Sequence, residues 1–297
     1  VNADPIELQP GSPEWQRELT ASKIAAVLGL SPWESRYSVW WRMRGALPAE
    51  PETKAQTRGH YLEDAVARWL ADQYNFDDMR WGGCWRNRDR PWQVASPDRL
   101  AWTTGGEYVD AVVECKTAAS WESWGPDGSD EIPAYYRAQV VWQCDTLGLD
   151  TAYVGVLLGN LEFRGYVIRP TPAEIDMVRA EAREFLDSIA TDEVPDIDAH
   201  GATYTVIRAL HPDIDRDQVL EVDEELAVEF VSAVTAARDA EEAKNLAVNR
   251  LADAMGAAHK ATAWGRKIAH RQTNGRGSPY LKPAPTLPTP PQEDPDA

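Results

Sequence analysis

The chain has 297 residues, 43% of them hydrophobic and 26% charged, with a formal net charge of −18. It is long enough to bury a sizeable core in one large domain or two smaller ones, and it contains no apolar run near the roughly 20 residues a membrane span needs. Cys84, Cys115 and Cys144 show no C-x-x-C pairing, which argues against a zinc ribbon, an iron–sulfur cluster or a disulfide framework, and VNADPIELQPGSPEW has neither a basic nor an apolar leader pattern, so a cytosolic protein with reduced thiols is expected.

Residues 20–29 (TASKIAAVLG) predict a short helix capped by Thr20 or Ser22 and stopped by Gly29. A second helix is expected over 36–44, ending before Gly45, and then a polar loop, PAEPETKAQT. The clearest amphipathic helix covers 59–75, with Leu62, Val66, Trp69, Leu70 and Tyr74 on one face. From about residue 92 the period changes to two, and WQVAS and EYVDAVVECKT read as strands. A helix from Pro133, expected at the first helical position, to Gly148 precedes two strands, AYVGVLL and LEFRGYVI, joined through Gly159-Asn160, and a helix over 172–190. This order predicts an α/β domain with a mixed sheet flanked by helices over residues 1–191. A linker, PDIDAHGA, leads to an acidic helical extension over 192–271 with a β-hairpin arm at AWGRKIAHRQ, and residues 272–297 form a Pro-rich tail expected to be disordered.

The strand YVDAVVECKT places Glu114 and Lys116 two apart, so both project from one face while Val113 and Cys115 point to the other. Asp98, on a Ser-Pro-Asp turn, returns beside Glu114 if the two strands pair around the Thr-Thr-Gly-Gly segment. Two adjacent carboxylates make a hard oxygen site suited to Mg²⁺ or Mn²⁺, with the Cys115 carbonyl available to complete it. Hydrolysis of a phosphodiester needs charge relief on phosphoryl oxygens and an activated water. Lys116 suits orienting or deprotonating that water, or stabilising the developing charge; an exposed ion pair with Glu114 is the plain alternative.

Glu63 falls inside the apolar arc of its helix, so it needs a partner: the metal site, directly or through water, or an Arg ion pair. Gln139 and Gln143, one helical turn apart, border an apolar stripe and suit holding a water, a metal ligand or a phosphate; ordinary helix-border glutamines are the alternative. The acidity is uneven, with 7 Lys+Arg against 21 Asp+Glu in residues 171–257 but 17 against 24 in residues 1–170, so a nucleic-acid partner for the first part stays open. There Arg80, Arg86, Arg88 and Arg90 interleave with Trp81, Trp85 and Trp92, residue types that carry phosphates and stack on bases; a solvated loop is the competing reading.

The stretches TASKIAAVLGLSPW, RGHYLEDAVARW, ASPDRL, VVECKT and YYRAQVVWQ, in this order, resemble the lambda-exonuclease-like, YqaJ-type viral recombinase family of phage alkaline exonucleases. The resemblance covers about residues 12–170 and implies a restriction-endonuclease-like PD-(D/E)xK core. It further implies a 5′ to 3′ exonuclease acting on ends of linear double-stranded DNA. Such an enzyme leaves a 3′ tail for a single-strand annealing protein of the RecT/Bet kind, in the cytoplasm of a bacterial host of a phage or prophage. Asp98 and Glu114 match the family's metal ligands, Lys116 its catalytic lysine, and Glu63 and Gln139 its supporting glutamate and glutamine. Ser22 matches a position near the 5′ phosphate, and Arg17 stands where an arginine anchors that phosphate. Relatives forming a ring-shaped homotrimer suggest the same assembly. Two other readings share these residues: a PD-(D/E)xK endonuclease or repair nuclease, and a catalytically silent DNA-binding or phage assembly protein.

Overall fold

The computed structural model describes residues 1–47, 53–273, 275 and 277–291, and the chain divides into two units, Val1–Ile214 and Asp215–Ala297. The first unit opens with strand β1 (Ala3–Pro5) and helix α1 (Pro13–Arg17), which the residue pattern does not announce. Helix α2 (Ala21–Val27) begins after Thr20 and is followed by Gly29 at φ 68°, a conformation that favours glycine. Helix α3 (Arg36–Met43) starts in a capping box: the Ser35 hydroxyl accepts the Ser38 N–H, and the Ser38 hydroxyl accepts the Ser35 N–H. Helix α4 (Lys54–Tyr74) starts at Lys54 rather than 59, because Thr53 and Gln56 form a second capping box inside the expected loop. Residues 48–52 of that loop lie outside the described residues.

The Arg/Trp run is partly strand: β2 (Asp78–Trp81) and β3 (Trp85–Asn87) take Arg80, Trp81, Trp85 and Arg86, while Arg88, Arg90 and Trp92 lie in the turn that leads to β4 (Val94–Ala95) and then β5 (Arg99–Trp102). Next come β6 (Ala111–Ala118) and α5 (Ala134–Leu147), with Pro133 at the N-cap, one place before the expected first helical position. Strands β7 (Thr151–Leu158) and β8 (Phe163–Ile168) form the expected hairpin, and α6 (Pro172–Thr191) is capped by Thr171 with Glu174. Helix α7 (Gly201–Leu210) begins at the end of the expected linker. Its Thr203 hydroxyl donates to Ser35 Oγ at 2.7 Å, so it belongs to the first unit, beyond the residue-191 boundary read from the sequence.

The central sheet has the order β2-β5-β6-β7-β8, with every neighbouring pair antiparallel except β6 and β7, which run parallel with α5 in the connection between them. Alternation along β6 sends Val112 into the main core with Trp40, Trp142 and Phe185, while Ala111 and Val113 pack on the opposite face with Leu70 of α4. Helix α4 can lie this close only because Gly155 has no side chain: a Cβ there would meet Leu70 Cδ1 at 2.7 Å. A smaller antiparallel sheet, β1-β3-β4, completes the first unit. The result is the expected mixed sheet with helices on its faces.

The second unit holds α8 (Glu224–Met255), capped by Asp223 with Glu224 and Glu225 in its positive first turn, and a three-stranded antiparallel sheet. Its strands are β9 (Lys260–Ala263), β10 (Arg266–Gln272) and β11 (Tyr280–Pro283), in the order β11-β10-β9. The expected hairpin turns through Trp264 and Gly265, at φ 49° and 73°, the paired left-handed residues of a tight turn. Strand β11 lies inside the tail expected to be disordered; pairing of Tyr280 with Gln272 through Pro283 with Ala269 orders it. Residues 274, 276 and 292–297 of that tail lie outside the described residues. Among the described residues, no helix is long and apolar enough to cross a membrane.

Candidate active site

Strands β5 and β6 pair with Arg99 opposite Val113, so the next residues along, Asp98 and Glu114, come side by side where the hairpin opens. The Cys115 N–H donates to Asp98 Oδ2 at 2.7 Å and fixes that carboxylate against the strand edge. Glu114 is only 2% exposed, and both of its oxygens accept hydrogen bonds. Oε1 takes Lys116 Nζ at 2.5 Å and Gln139 Nε2 at 2.6 Å, while Oε2 takes Gln143 Nε2 at 2.8 Å. The one-turn spacing of the glutamines on α5 thus matches the two oxygens of one carboxylate. Lys116 Nζ also stands 4.8 Å from the centre of the Tyr136 ring, on the same helix.

Charge at this site is unevenly balanced. Burial and the neighbouring Glu114 carboxylate hold the Asp98 carboxyl well above the usual range, despite Lys116 and the Cys115 N–H. Burial by itself would lower the Lys116 ammonium, but the Glu114 and Asp98 carboxylates together outweigh it and keep the amine protonated beyond its ordinary value. The Cys115 thiol is also pushed far up, by burial first and then by the Asp98 and Glu114 charges, so it stays a thiol at neutral pH.

Glu63 reaches the edge of this site from α4, but its Oε1 accepts Arg99 Nη1 at 2.5 Å. Arg99 also donates to the Asp98 carbonyl at 2.7 Å and to Asp64 Oδ1 at 2.7 Å, and its guanidinium lies 4.6 Å from the exposed Trp81 ring. The arginine ion pair, one of the two partners considered for Glu63, is formed. Among the described residues, no three His, Cys, Asp or Glu side chains converge as a metal cluster. The donor set at Asp98 and Glu114 nevertheless fits a hard divalent cation: both are carboxylates, and two carboxylates share one ammonium.

Residues 14–150 match the model of the YqaJ-like viral recombinase domain. That stretch, just under half of the chain, is similar to a YqaJ-type recombinase domain. The Bacillus subtilis (strain 168) protein YqaJ, itself uncharacterized, is 25% identical over 215 residues, which cover 70% of this chain and 65% of that protein. Similar solved structures include the alkaline exonuclease LHK-Exo of Laribacter hongkongensis, at 16% identity and TM-score 0.47 over 67% of this chain and 96% of the other. The same protein in complex with dAMP gives a TM-score of 0.49 at 16% identity, over 68% of this chain and 97% of the other. A phage related exonuclease from Haemophilus somnus 129PT gives 0.44 at 12% identity, covering 59% of this chain and 96% of that one.

Within the matched stretch the residues expected to touch DNA are placed unequally. Ser22 is exposed at the start of α2, where its Oγ lies 3.1 Å from Thr20 Oγ1, and the bridge between Thr20 and Val94 ties this turn to β4. The exposed Arg17 lies against the end of α3 instead, with Nη2 3.8 Å from where a Cβ on Gly45 would stand. Arg86 grips Glu18 with both terminal nitrogens, and Arg88 holds Asp4 at 2.8 Å, so both form ion pairs within the unit. Gln143 is fully buried and serves Glu114. The sequence reading missed Arg99 and Tyr136. Arg99 had one available signal: it directly follows Asp98 and, as a strand residue opposite Val113, must face α4.

Proposed function

We propose that the chain is a divalent-metal-dependent deoxyribonuclease that digests linear duplex DNA from its 5′ ends and leaves 3′ tails for a single-strand annealing protein. The observation that carries the hydrolytic part is the buried Glu114, held by Lys116, Gln139 and Gln143 beside the charge-poor Asp98 carboxylate. The YqaJ-like domain supports the nuclease class; end preference and polarity rest on the resemblance of the motifs, as does a homotrimeric assembly.

Mg²⁺ or Mn²⁺, bound by Asp98 and Glu114, would neutralise phosphoryl charge and acidify a water. The protein's own part follows from the geometry. Gln139 and Gln143 fix both Glu114 oxygens, so the carboxylate keeps one orientation. Lys116 is held as an ammonium by its two carboxylate neighbours, which suits it to donate toward a phosphoryl oxygen or to orient water rather than to remove a proton. Arg99 pins Glu63 and the Asp98 carbonyl, holding the Asp98 backbone from the α4 side.

Digestion of a linear duplex labelled separately at its 5′ and 3′ ends, beside a closed circle and Lys116→Ala, tests the proposal. Release of 5′ nucleotides from the linear form alone, lost in the variant, is the expected result. Cleavage of the circle moves the reading to an endonuclease. Absence of Lys116-dependent cleavage with any divalent metal leaves a silent binding or assembly role.

A further inference from the structure

From Gly256 to Gln292 the chain has six Lys and Arg and no Asp or Glu, in a protein whose net charge is −18. The pairing of the three strands gives this imbalance a geometry. Lys260 lies opposite His270, and His270 opposite Lys282, so the three form one row across the sheet. Lys267 lies opposite Thr262, two residues along β9 from Lys260, and the bulge between Lys267 and Ala269 keeps it on the same face as the row. Lys260, Lys267 and Lys282 are exposed, and among the described residues none of them forms an ion pair. On the opposite face Ala269 is buried and Arg271 is occupied with the Gly256 carbonyl at the end of α8. Three positive charges gathered on one face repel one another, so the cationic face costs stability unless an anion covers it. Lysines on edge strands also discourage strand pairing, but that role does not account for Lys267, which sits on the central strand β10.

With strands about 4.8 Å apart, Lys260 and Lys282 stand roughly 10 Å apart at the backbone, too wide for one small anion to serve both. A polymer with closely spaced charges can serve all three lysines, and duplex DNA presents one charge per roughly 1.7 Å of its axis. We propose that this face of the β9–β10–β11 sheet is a second DNA-contact surface, which grips the phosphate backbone without reading sequence. Choosing DNA among polyanions rests on the nuclease reading above; the cationic row itself does not. Trp264, 56% exposed at the tip of the β9–β10 turn, offers a ring to the same ligand.

The test is equilibrium binding of the full chain to a fluorescently labelled duplex in chelator, across a salt series, so that cleavage plays no part. The variant combining Lys260→Gln, Lys267→Gln and Lys282→Gln is expected to lower the slope of log affinity against log salt by about 2 to 3, and affinity at 0.1 M salt by about 100-fold. The corresponding triple Lys→Arg variant should keep the wild-type slope. An unchanged slope in the Gln variant, or an equal loss in the Arg variant, overturns the proposal. Equal affinity for poly-glutamate overturns it too and assigns the surface to an acidic protein. If the wild type cleaves no DNA with any metal while the slope still drops, the nuclease reading fails and this inference stands.

Discussion

Helix α5 serves two buried carboxylates of opposite kind. At its C-terminal end Asp145, 7% exposed, takes Arg90 and Arg179 on Oδ1, and Arg179 and Gln93, each at 2.8 Å, on Oδ2. One negative charge there meets two guanidinium groups. From the middle of the same helix onward, Gln139 and Gln143 hold Glu114 beside Asp98, and two negative charges meet one ammonium and neutral amides. A buried charge is tolerated only when compensated, so the over-compensated carboxylate serves the scaffold. The under-compensated pair is where a cationic ligand has something to gain.

The largest expected effect sits at the under-compensated pair: Lys116→Ala lowers cleavage by at least about 100-fold in the end-labelled assay. If cleavage persists, the pairing of charge with chemistry fails. Asp145→Ala strands two arginines and costs about 3 to 5 kcal/mol in urea unfolding, as breaking a buried pair does. Gly82→Ala comes next. A Cβ there would stand 1.8 Å from the Pro97 carbonyl oxygen, so the backbone carrying Asp98 must move, at a cost of about 1 to 3 kcal/mol and with loss of cleavage.

Asp98→Asn should change stability in the opposite direction to Asp145→Ala. A carboxyl held above its unfolded value contributes to folding in full below that value, and the contribution is lost as pH rises through the folded value. Without metal, the Asn variant should therefore melt higher than wild type at neutral pH, with the gap closing on acidification. Adding Mg²⁺ should raise the wild-type melting temperature and leave the variant's unchanged. A metal-free variant that melts lower than wild type at neutral pH would show that Asp98 is compensated after all. The smallest effect belongs to Arg86→Gln, below about 1 kcal/mol, because its pair with Glu18 is half exposed.

Legibility in the sequence followed the reach of each signal. Period-two alternation over YVDAVVECKT set the faces of Glu114 and Lys116, and helical spacing grouped Gln139 with Gln143, because both are local regularities. Strands β1 to β3 escaped because they are short and gain their pairing from distant segments: Ala3 opposite Asn87, Asp78 opposite Trp102. The roles of Arg86 and Arg88 escaped for the same reason, since their carboxylate partners lie far away in sequence, at Glu18 and Asp4. Thr53 and Gln56 were legible as a capping box, but the prolines just before them drew the loop too far.

Strand β6 carries Ala111 and Val113 on the face under α4 and Val112, Glu114 and Lys116 on the face toward α5, with a single register shared by both. A slip of one residue against β5 would turn Val113 and Cys115 toward α5 and bury Glu114 and Lys116 under α4. Packing and chemistry would be lost in the same step. Insertions and deletions within β6 should therefore be purged whatever the selection on DNA processing, while length changes stay open to the turn between Trp102 and Ala111, which lies outside the ladder.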